Sequence, residues 1–465
     1  MNAIYLTEEI RRIERGCGVP EPELMQRAAR AACEIAVQLV SEKAKDVLVL
    51  AGPGNNGGDA RVMAKLLEER FFRVSVASKR DEVPDKPWGL VVDGLFGIGL
   101  ARELTGNYAA LVDYANAQRC PVLALDIPSG VHSDSGRVLG RAVRATHTVT
   151  FIGLKPGLLT LDGPDHCGKV EVADLGLQNI ITPSAWVAEP GLFKELLKAR
   201  PRNFHKGMAG SVGVLGGAAG MTGAALLAAR AALKMGAGRV YLGLLAESIS
   251  VDLQNPELML RHPDDALGQD LDALVVGPGL GEGERAETLV GAALASDLPC
   301  VLDADALNLM SESEDLRHAC ARRSAETLLT PHPAEAARLL ALNTADVQAD
   351  RVKAARILAE NLHAHVVLKG AGSILVARDA HWFVNTTGNP GMASAGMGDV
   401  LAGMLGALLA QRYSGETALV LGVHLHGAAA DDLAAGGVGP VGLTAGEVID
   451  AARRRWNRWL GHHGA

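Results

Sequence analysis

The run Asn389-Pro390-Gly391-Met392-Ala393-Ser394-Ala395-Gly396-Met397-Gly398-Asp399 decides how this chain reads: a glycine-dense loop closes on an acid and runs straight into the apolar stretch Val400 to Ala410. Gly396 and Gly398 let backbone approach a ligand with no Cβ in the way, and a helix N-terminus behind them would offer unpaired N–H groups to phosphate oxygens. A carboxylate at Asp399 would repel those phosphates unless it had chemistry to perform, such as taking a proton from a hydroxyl or holding magnesium. An Asp that merely caps a helix is the competing reading of this loop alone. A second and different loop, Ala51-Gly-Pro-Gly-Asn-Asn-Gly-Gly-Asp59, follows the apolar run Val47 to Leu50, so two ligand sites are expected.

With 465 residues the chain is long enough for two or three cores, and 48% hydrophobic content fills them. Fifty-four glycines against 4% aromatic residues suit the tight strand-to-helix turns of an α/β sandwich. A net charge of −8 and the absence of a strongly basic stretch argue against nucleic acid, the run Arg453 to Arg458 reading as a solvated helix face. Glu8, Glu9, Arg11 and Arg12 leave no apolar core for a secretory signal, and apolar runs such as Leu401 to Ala410 stop short of a bilayer span. A cytoplasmic enzyme without a membrane partner is therefore expected. Cysteines at 17, 33, 120, 167, 300 and 320 lack a Cys-x-x-Cys pair and read as buried free thiols.

Residues 5 to about 40 read as helices, after which strands at Val47–Leu50, Val74–Ala77, Gly89–Val92, Val122–Ala124 and Thr148–Phe151 alternate with helical stretches such as Arg61 to Arg70. That alternation predicts a parallel, doubly wound sheet with its ligand at the carboxyl ends of the strands. Polar residues fall at those ends: Asn55, Asn56 and Asp59; Asp93; Asp126 and Ser129; Lys155. The proline-punctuated stretch from Thr182 to Pro201 reads as a crossing between domains, 1–200 and 201–460. Beyond it, strands are expected at Val212–Leu215, Val240–Leu244, Ala273–Val276, Cys300–Leu302, Thr327–Leu329, Val366–Leu368 and Ser373–Val376, again with helices between.

In the first half, Asn55 and Asn56 offer amide groups, Gly57 and Gly58 open the backbone to an anion, and Asp59 can bond a ribose or amide. With Asp93, Asp126 and Ser129 they form an all-oxygen set suited to a hard cation lying against a phosphate, although each Asp taken singly is more simply a cap. Lys155, held before a proline at a strand end, could shuttle a proton or hold phosphate, or could be a snorkelling surface lysine. In the second half, Lys369-Gly370-Ala371-Gly372-Ser373 offers charge and free N–H groups to a nucleotide phosphate, and His332 could bond a substrate edge. Asp303 and Asp305 close a strand and could contact magnesium or substrate, while His424 and His426 read as packing residues. Asp126, Lys155 and Asp399 are the candidate catalytic groups.

The run from Gly52 to Asp59, together with Asp126-Ile-Pro-Ser-Gly130, resembles the NAD(P)H-hydrate epimerase domain of YjeF N-terminal type. Gly220-Met-Thr-Gly-Ala224, Gly277-Pro-Gly-Leu-Gly281, Pro331-His-Pro-Ala-Glu335, Lys369 to Gly372 and Asn389 to Asp399 resemble the ADP-dependent NAD(P)H-hydrate dehydratases. The resemblance implies an N-terminal Rossmann-like sheet and a C-terminal ribokinase-like α/β domain, acting in nicotinamide repair. The first domain would interconvert R and S forms of the hydrated cofactor and the second would dehydrate the S form using ADP. By motif position, Asn55, Asn56, Gly57, Gly58, Asp59, the run Gly97, Ile98, Gly99, Leu100, Ala101, Arg102, Glu103, and Asp126 would hold hydrated NADH or NADPH. Asn56, Asp93 and Ser129 would hold K+. In the second domain Ala224, Gly279, His332 and Asp399 would face the hydrate, and Lys369 to Ser373 with Gly398 would hold the adenine nucleotide, with Mg2+. A homo-oligomer is expected. The family commonly has Gly where this chain has Ala60, a position that needs a helical φ to accept a methyl. A ribokinase-like small-molecule kinase with a non-catalytic N-terminal binding module is the alternative.

Overall fold

In the computed structural model the chain is described over residues 2–40, 46–177, 181–197, 199–246 and 249–461. It folds as two compact units, Asn2–Trp186 and Val187–Ala465.

The first unit opens with helices α1 (Thr7–Gly16) and α2 (Glu21–Leu39), followed by β1 (Asp46–Ala51), α3 (Asn55–Glu69), β2 (Arg73–Ala77), β3 (Leu90–Gly94), α4 (Gly106–Asn116), β4 (Val122–Leu125), β5 (His147–Phe151) and β6 (Lys169–Ala173). The sheet order is β2-β1-β3-β4-β5-β6, with every pairing parallel. Strands buried on both faces need continuous apolar sequence, and β1 supplies it. Val47, Val49 and Ala51 pack towards α2 and α3, while Leu48 and Leu50 join Leu111, Val112 and Ala115 of α4 on the other side. The reversal of strand order lies between β1 and β3, where a ligand crevice forms. Ala60 sits fully buried inside α3 with ordinary helical backbone, so its methyl is accommodated.

The second unit contains β7 (Ser211–Gly216), α5 (Thr222–Lys234), β8 (Arg239–Leu244), β9 (Met259–Arg261), β10 (Ala273–Val276), α6 (Glu284–Ala295), β11 (Cys300–Leu302), β12 (Thr327–Leu329), α7 (Pro333–Leu339), α8 (Arg351–Leu362), β13 (His365–Leu368), β14 (Ser373–Val376), β15 (Trp382–Asn385), α9 (Met397–Ala410) and α10 (Gly415–Ala435). Its strands run in the order β15-β14-β13-β12-β11-β10-β7-β8-β9. All are parallel except β13–β14 and β14–β15, which are antiparallel. The strands β6, β9 and β15 are not among those the sequence pattern singles out: β9 and β15 lack alternation, while β6 does alternate, as Lys169-Val-Glu-Val-Ala173. Helix α9 is apolar nearly all round, and every residue from Val400 to Ala410 is buried, as a helix with no polar face requires. Among the described residues no helix is long and apolar enough to cross a membrane. All six cysteines are free, four of them buried.

One buried cation fixes the approach to β11. The Arg323 guanidinium, 6% exposed, donates to the carbonyls of Ala293, Leu294, Ser296 and Leu298 at 2.5–2.9 Å and to Thr327 Oγ1 at 2.9 Å. It closes the C-terminal carbonyls of α6, where positive charge also meets the helix dipole, and holds the turn that feeds Cys300 into the sheet. Arg323→Met removes the side-chain donor from all four carbonyls, of which Ala293 O keeps Ser296 N and Oγ. Its expected cost is on the order of 3–5 kcal/mol, read as a lower denaturant midpoint with an unchanged m value.

Candidate active sites

In the first unit the carboxyl ends of β1, β3, β4 and β5 deliver the polar groups to one place. Gly57 turns the glycine loop against its own start: a Cβ there would lie 1.9 Å from the carbonyl oxygen of Gly52, so no other residue fits. Asn56, the second residue of α3, is buried, and neither its Oδ1 nor its Nδ2 has a hydrogen-bond partner. Asp93, at the end of β3, is fully buried; its carboxylate accepts from Ser129 N at 2.7 Å, Ser129 Oγ at 2.6 Å and Leu95 N at 3.2 Å. Burial raises Asp93 to about 6, against the pull of the Ser129 and Leu95 bonds. Ser129 Oγ also reaches the backbone of Phe96, beside Gly97, and Gly97 in turn adjoins Asn56 and Asp126. An amide oxygen with no partner next to a buried carboxylate and a hydroxyl is a donor set that fits K+.

Asp126 adopts φ +67, a left-handed conformation rare for a non-glycine residue and typical of residues held for function. Its Oδ1 accepts from Lys155 Nζ at 2.5 Å, and Lys155, 0% exposed, also donates to Thr150 Oγ1 at 2.8 Å and Phe151 O at 2.7 Å. The ammonium thus has three oxygen partners and does not snorkel. Ile98 N lies 3.4 Å from Asp126 Oδ2, which ties the Gly97–Glu103 segment to the same carboxylate. Within that segment Leu100 differs from the expectation: its side chain is buried in the core beneath the loop, whereas Ala101, Arg102 and Glu103 are exposed. Asp59 is pushed up to about 8, first by burial and then by the neighbouring Asp126 and Glu14 carboxylates. Glu14 from α1 is raised by burial and by Asp126. Neither Glu14 nor Thr150 carries a local sequence signal, since each reaches the site from an element whose pattern reads as ordinary helix or strand.

In the second unit β7, β10, β11, β12 and β13 are parallel, so the loops after them gather at one edge. Asp303, 1% exposed at the end of β11, accepts from Lys369 Nζ at 2.9 Å, and Glu335 Oε2 lies 3.9 Å from the same ammonium. Gly398 closes over this pair: a Cβ there would stand 3.2 Å from Lys369 Nζ and 3.4 Å from Asp303 Oδ2. Helix α9 begins at Met397, earlier than the sequence pattern shows, with Gly396 at φ +90 as its cap. Asp399 therefore lies in the first helical turn and is not the cap. Burial, then Asp303, raise its carboxyl to about 6, with Lys369 opposing. Burial raises Glu335 to about 7, Lys369 again opposing. Burial pulls the Lys369 ammonium down, but Asp303, Glu335 and Asp399 outweigh it and leave a net rise.

His332 is the N-cap of α7: its Nδ1 accepts from Ala334 N at 3.1 Å and Glu335 N at 3.3 Å, which leaves Nε2 3.3 Å from Glu335 Oε1. Ala224 and Gly279 are brought together, since a Cβ on Gly279 would meet the Ala224 methyl at 3.2 Å. Asp305 secures the neighbouring loop by accepting from Gly281 N at 2.8 Å. The Lys369–Ser373 turn is held from below by Arg351, 1% exposed, whose guanidinium donates to Ala371 O at 3.1 Å and to Leu368 O and Lys369 O at 3.3 Å. Ser373 Oγ closes the turn by donating to Gly370 O at 3.0 Å. Arg351 opens a helix and has no motif of its own, so sequence reading passed it over. His424 Nδ1 donates to Ala188 O at 2.8 Å, and the ring packs on Phe193 and Trp459 as a structural residue. His426 is different: it is buried with Nε2 unpartnered, and burial with nearby Lys369 drives it down to about 4.

Two α/β units, one doubly wound with a glycine loop and one with an anion cradle closing on an acid, define a two-site enzyme of nucleotide-binding type. The second unit shares its fold with a ribokinase-like superfamily protein from Enterococcus faecalis (TM-score 0.53, 24% identity, 61% of this chain and 99% of that one). Residues 21–88 and 77–157 match the YjeF-related protein N-terminus family, and residues 212–452 match the NAD(P)H-hydrate dehydratase family. The chain is 39% identical to a bifunctional NAD(P)H-hydrate repair enzyme of Coxiella burnetii, over 97% of its own length and 99% of the relative's. It is 35% identical to that of Escherichia coli, over 97% and 94%. A Bacillus subtilis ADP/ATP-dependent NAD(P)H-hydrate dehydratase, crystallised with ATP and Mg2+, aligns at TM-score 0.53 with 29% identity, covering 59% of this chain and 98% of that one. The chain belongs to the bifunctional NAD(P)H-hydrate repair enzyme family.

The high position of Asp59 has a consequence for stability. A carboxyl raised from 3.8 to about 8 in the fold stabilises the native state fully below pH 3.8, and that contribution is lost as pH rises through 8. Asp59→Asn removes the titration. Its Tm should gain on that of the parent progressively between pH 5 and 8, and a constant offset would show that Asp59 is ionised throughout.

Proposed function

We propose that the chain repairs hydrated nicotinamide cofactors, the first unit interconverting the R and S forms of NADH and NADPH hydrate and the second dehydrating the S form with ADP. Asp399 carries the dehydratase reading. It stands in the first turn of α9 beside the Lys369–Asp303 pair, with a carboxyl raised to about 6 and so ionised at neutral pH but basic enough to accept a proton. In this reading Asp399 takes the proton of the substrate hydroxyl as that oxygen receives the terminal phosphoryl group of ADP. The C–O bond of the phosphate ester then breaks, phosphate leaves with its electron pair, and the adjacent ring carbon gives up a proton to solvent or to the departing phosphate as the double bond re-forms, leaving AMP and the reduced cofactor. Lys369, fixed by Asp303 and by the Arg351-supported turn, lies where it can pair with phosphate oxygens, and the α9 N-terminus adds N–H donors. Ala224, Gly279 and His332 would face the hydrate. A divalent cation carried in with the nucleotide would neutralise charge on its phosphates. The related dehydratase of B. subtilis is named for use of either ADP or ATP, and this supports a site that accepts both.

In the first unit, inverting a hydroxyl-bearing carbon breaks a bond on one face and makes it on the other, and both halves need a proton carrier. Lys155 and Asp126, in contact at 2.5 Å and shielded from water, can hold and return that proton. Asn56, Asp93 and Ser129 would hold K+, whose charge would anchor a phosphate of the dinucleotide near the glycine loop. The unpartnered Asn56 amide supports this assignment.

The test follows the return of reduced-nicotinamide absorbance from mixed R and S NADPH hydrate with Mg2+, K+ and either ADP or ATP. Full recovery is expected. Recovery that stalls at the S fraction, after subtraction of spontaneous epimerisation, would reduce the first unit to a binding module. A stable phosphate ester in place of recovery would favour the ribokinase-like kinase reading. Asp399→Asn should slow dehydration about 10²–10⁴-fold, and a loss under about tenfold would remove Asp399 as the base. Asn56→Ala should abolish stimulation of epimerisation by K+ while leaving ADP-dependent loss of the S form intact.

A further inference from the structure

Beside the glycine loop, at the carboxyl ends of β1 and β2, the first unit holds a cavity of about 850 Å³ whose walls include Gly52 and Pro53 of the loop, Arg61, Lys79, Arg80 and Asp81. Three cations against one acid reverse the sign of a chain whose net charge is −8. Arg61 is anchored by hydrogen bonds, and the exposed Arg80 rests on an aromatic ring. Arg61, from α3, donates to Gly52 O at 2.9 Å and Ala51 O at 3.3 Å, so its guanidinium is clamped at the root of the loop. Arg80 lies over the Tyr114 ring at 4.2 Å, and its backbone N–H donates to Asn107 Oδ1 at 2.9 Å. The nearby Glu82 is committed elsewhere: its carboxylate accepts from Ser78 N, Ser78 Oγ and Lys79 N at 2.7–3.1 Å.

Position gives this charge a meaning. In doubly wound sheets a dinucleotide lies across the carboxyl ends of the strands, with its adenosine ribose beside the strand that follows the glycine loop and its helix. An acid at that strand end bonds a free ribose diol, whereas a basic side chain accommodates a 2′-phosphate. Here that strand is β2, and it ends in Ser78-Lys79-Arg80. The loop is a wall common to both halves of such a ligand: Gly52 and Pro53 line the basic cavity, while Asn56 adjoins Gly97 and Asp126. We propose that this cavity is a subsite for the 2′-phosphate of hydrated NADPH, formed by Lys79 and Arg80 with Arg61 behind them, and that the first unit prefers NADPH hydrate to NADH hydrate. The proposal rests on the epimerase reading given above. A phosphate dianion between two or three cations gains charge-assisted bonds that a ribose hydroxyl cannot make, so the preference belongs in KM.

The experiment measures R-to-S conversion of each hydrate by the full-length protein, with the epimers separated chromatographically and no nucleotide added, so that dehydration does not interfere. The kcat/KM for NADPH hydrate should exceed that for NADH hydrate by at least about tenfold, mainly through KM, and the ratio should shrink as salt is raised. Lys79→Gln/Arg80→Gln should bring the ratio to within about twofold of unity. Lys79→Gln alone, which leaves Arg80 stacked on Tyr114, should give an intermediate ratio and guards against a folding defect in the double variant. Equal values for the two hydrates in the parent, or a preference that survives both variants, would overturn the subsite and leave the epimerase reading standing. A preference for NADH hydrate would show that Asp81 reads a free ribose. Conversion of neither hydrate would reject the epimerase reading, and the subsite with it.

Discussion

The contact between Lys369 and Asp303 is the constraint on which the second site depends. Burying an ion pair removes both charges from water, and the mutual attraction repays that only with good geometry and further partners. Here those partners are the site itself. Glu335 lies within 3.9 Å of the ammonium, Gly398 allows the helix start to pass directly above it, and Asp399 shares its field. A side chain at 398 would separate the acid from the pair. The raised carboxyls of Asp399 and Glu335 follow first from burial and then from the Asp303 charge beside them, with Lys369 opposing.

The first unit uses the same device with different parts. Lys155 is fully buried on Asp126, with Thr150 and Phe151 completing its shell, and the strained backbone of Asp126 aims the carboxylate at the loops. In each unit a lysine just beyond one strand meets an aspartate just beyond another, and the parallel sheet sets their spacing. The difference lies in what surrounds the pair. Beside Lys369 stands the start of α9 with its free N–H groups; beside Asp126, the partner of Lys155, lies Gly97, which also adjoins the unpartnered Asn56 amide. Similar sheets thus serve two chemistries because function resides in the loops grafted at their ends.

Rigid supports lie one layer below. Arg351 holds three carbonyls of the Lys369 turn and Arg323 holds the turn that feeds Asp303 into its strand. Neither touches the candidate reacting atoms. Both supply side-chain donors to several backbone carbonyls at once, and this keeps the loops in one arrangement. His426 keeps a neutral imidazole with Nε2 unpartnered, burial first and then the Lys369 charge holding it so.

Much of this was legible in the sequence, for definable reasons. Apolar runs such as Val47 to Leu50 are long enough to demand burial on both faces, so the parallel sheets and the glycine loops after them could be placed from local pattern alone. Asn56, Asp93, Asp126 and Lys369 stand at or just beyond strand ends, and Asp399 at a helix start behind a glycine loop, where backbone chemistry announces them. Tertiary structure alone decided which groups meet. Glu14, Thr150, Arg323 and Arg351 come from ordinary-looking helices, strands and turns, and Leu100 turns into the core from a segment whose resemblance assigns it to the ligand. The start of α9 at Met397, and with it the place of Asp399 inside the first turn, depends on Gly396 adopting a left-handed φ. Local propensity determines where elements and turns fall because it acts over a few residues, whereas ion pairs, raised carboxyls and a basic cavity arise from separations in space that only packing sets.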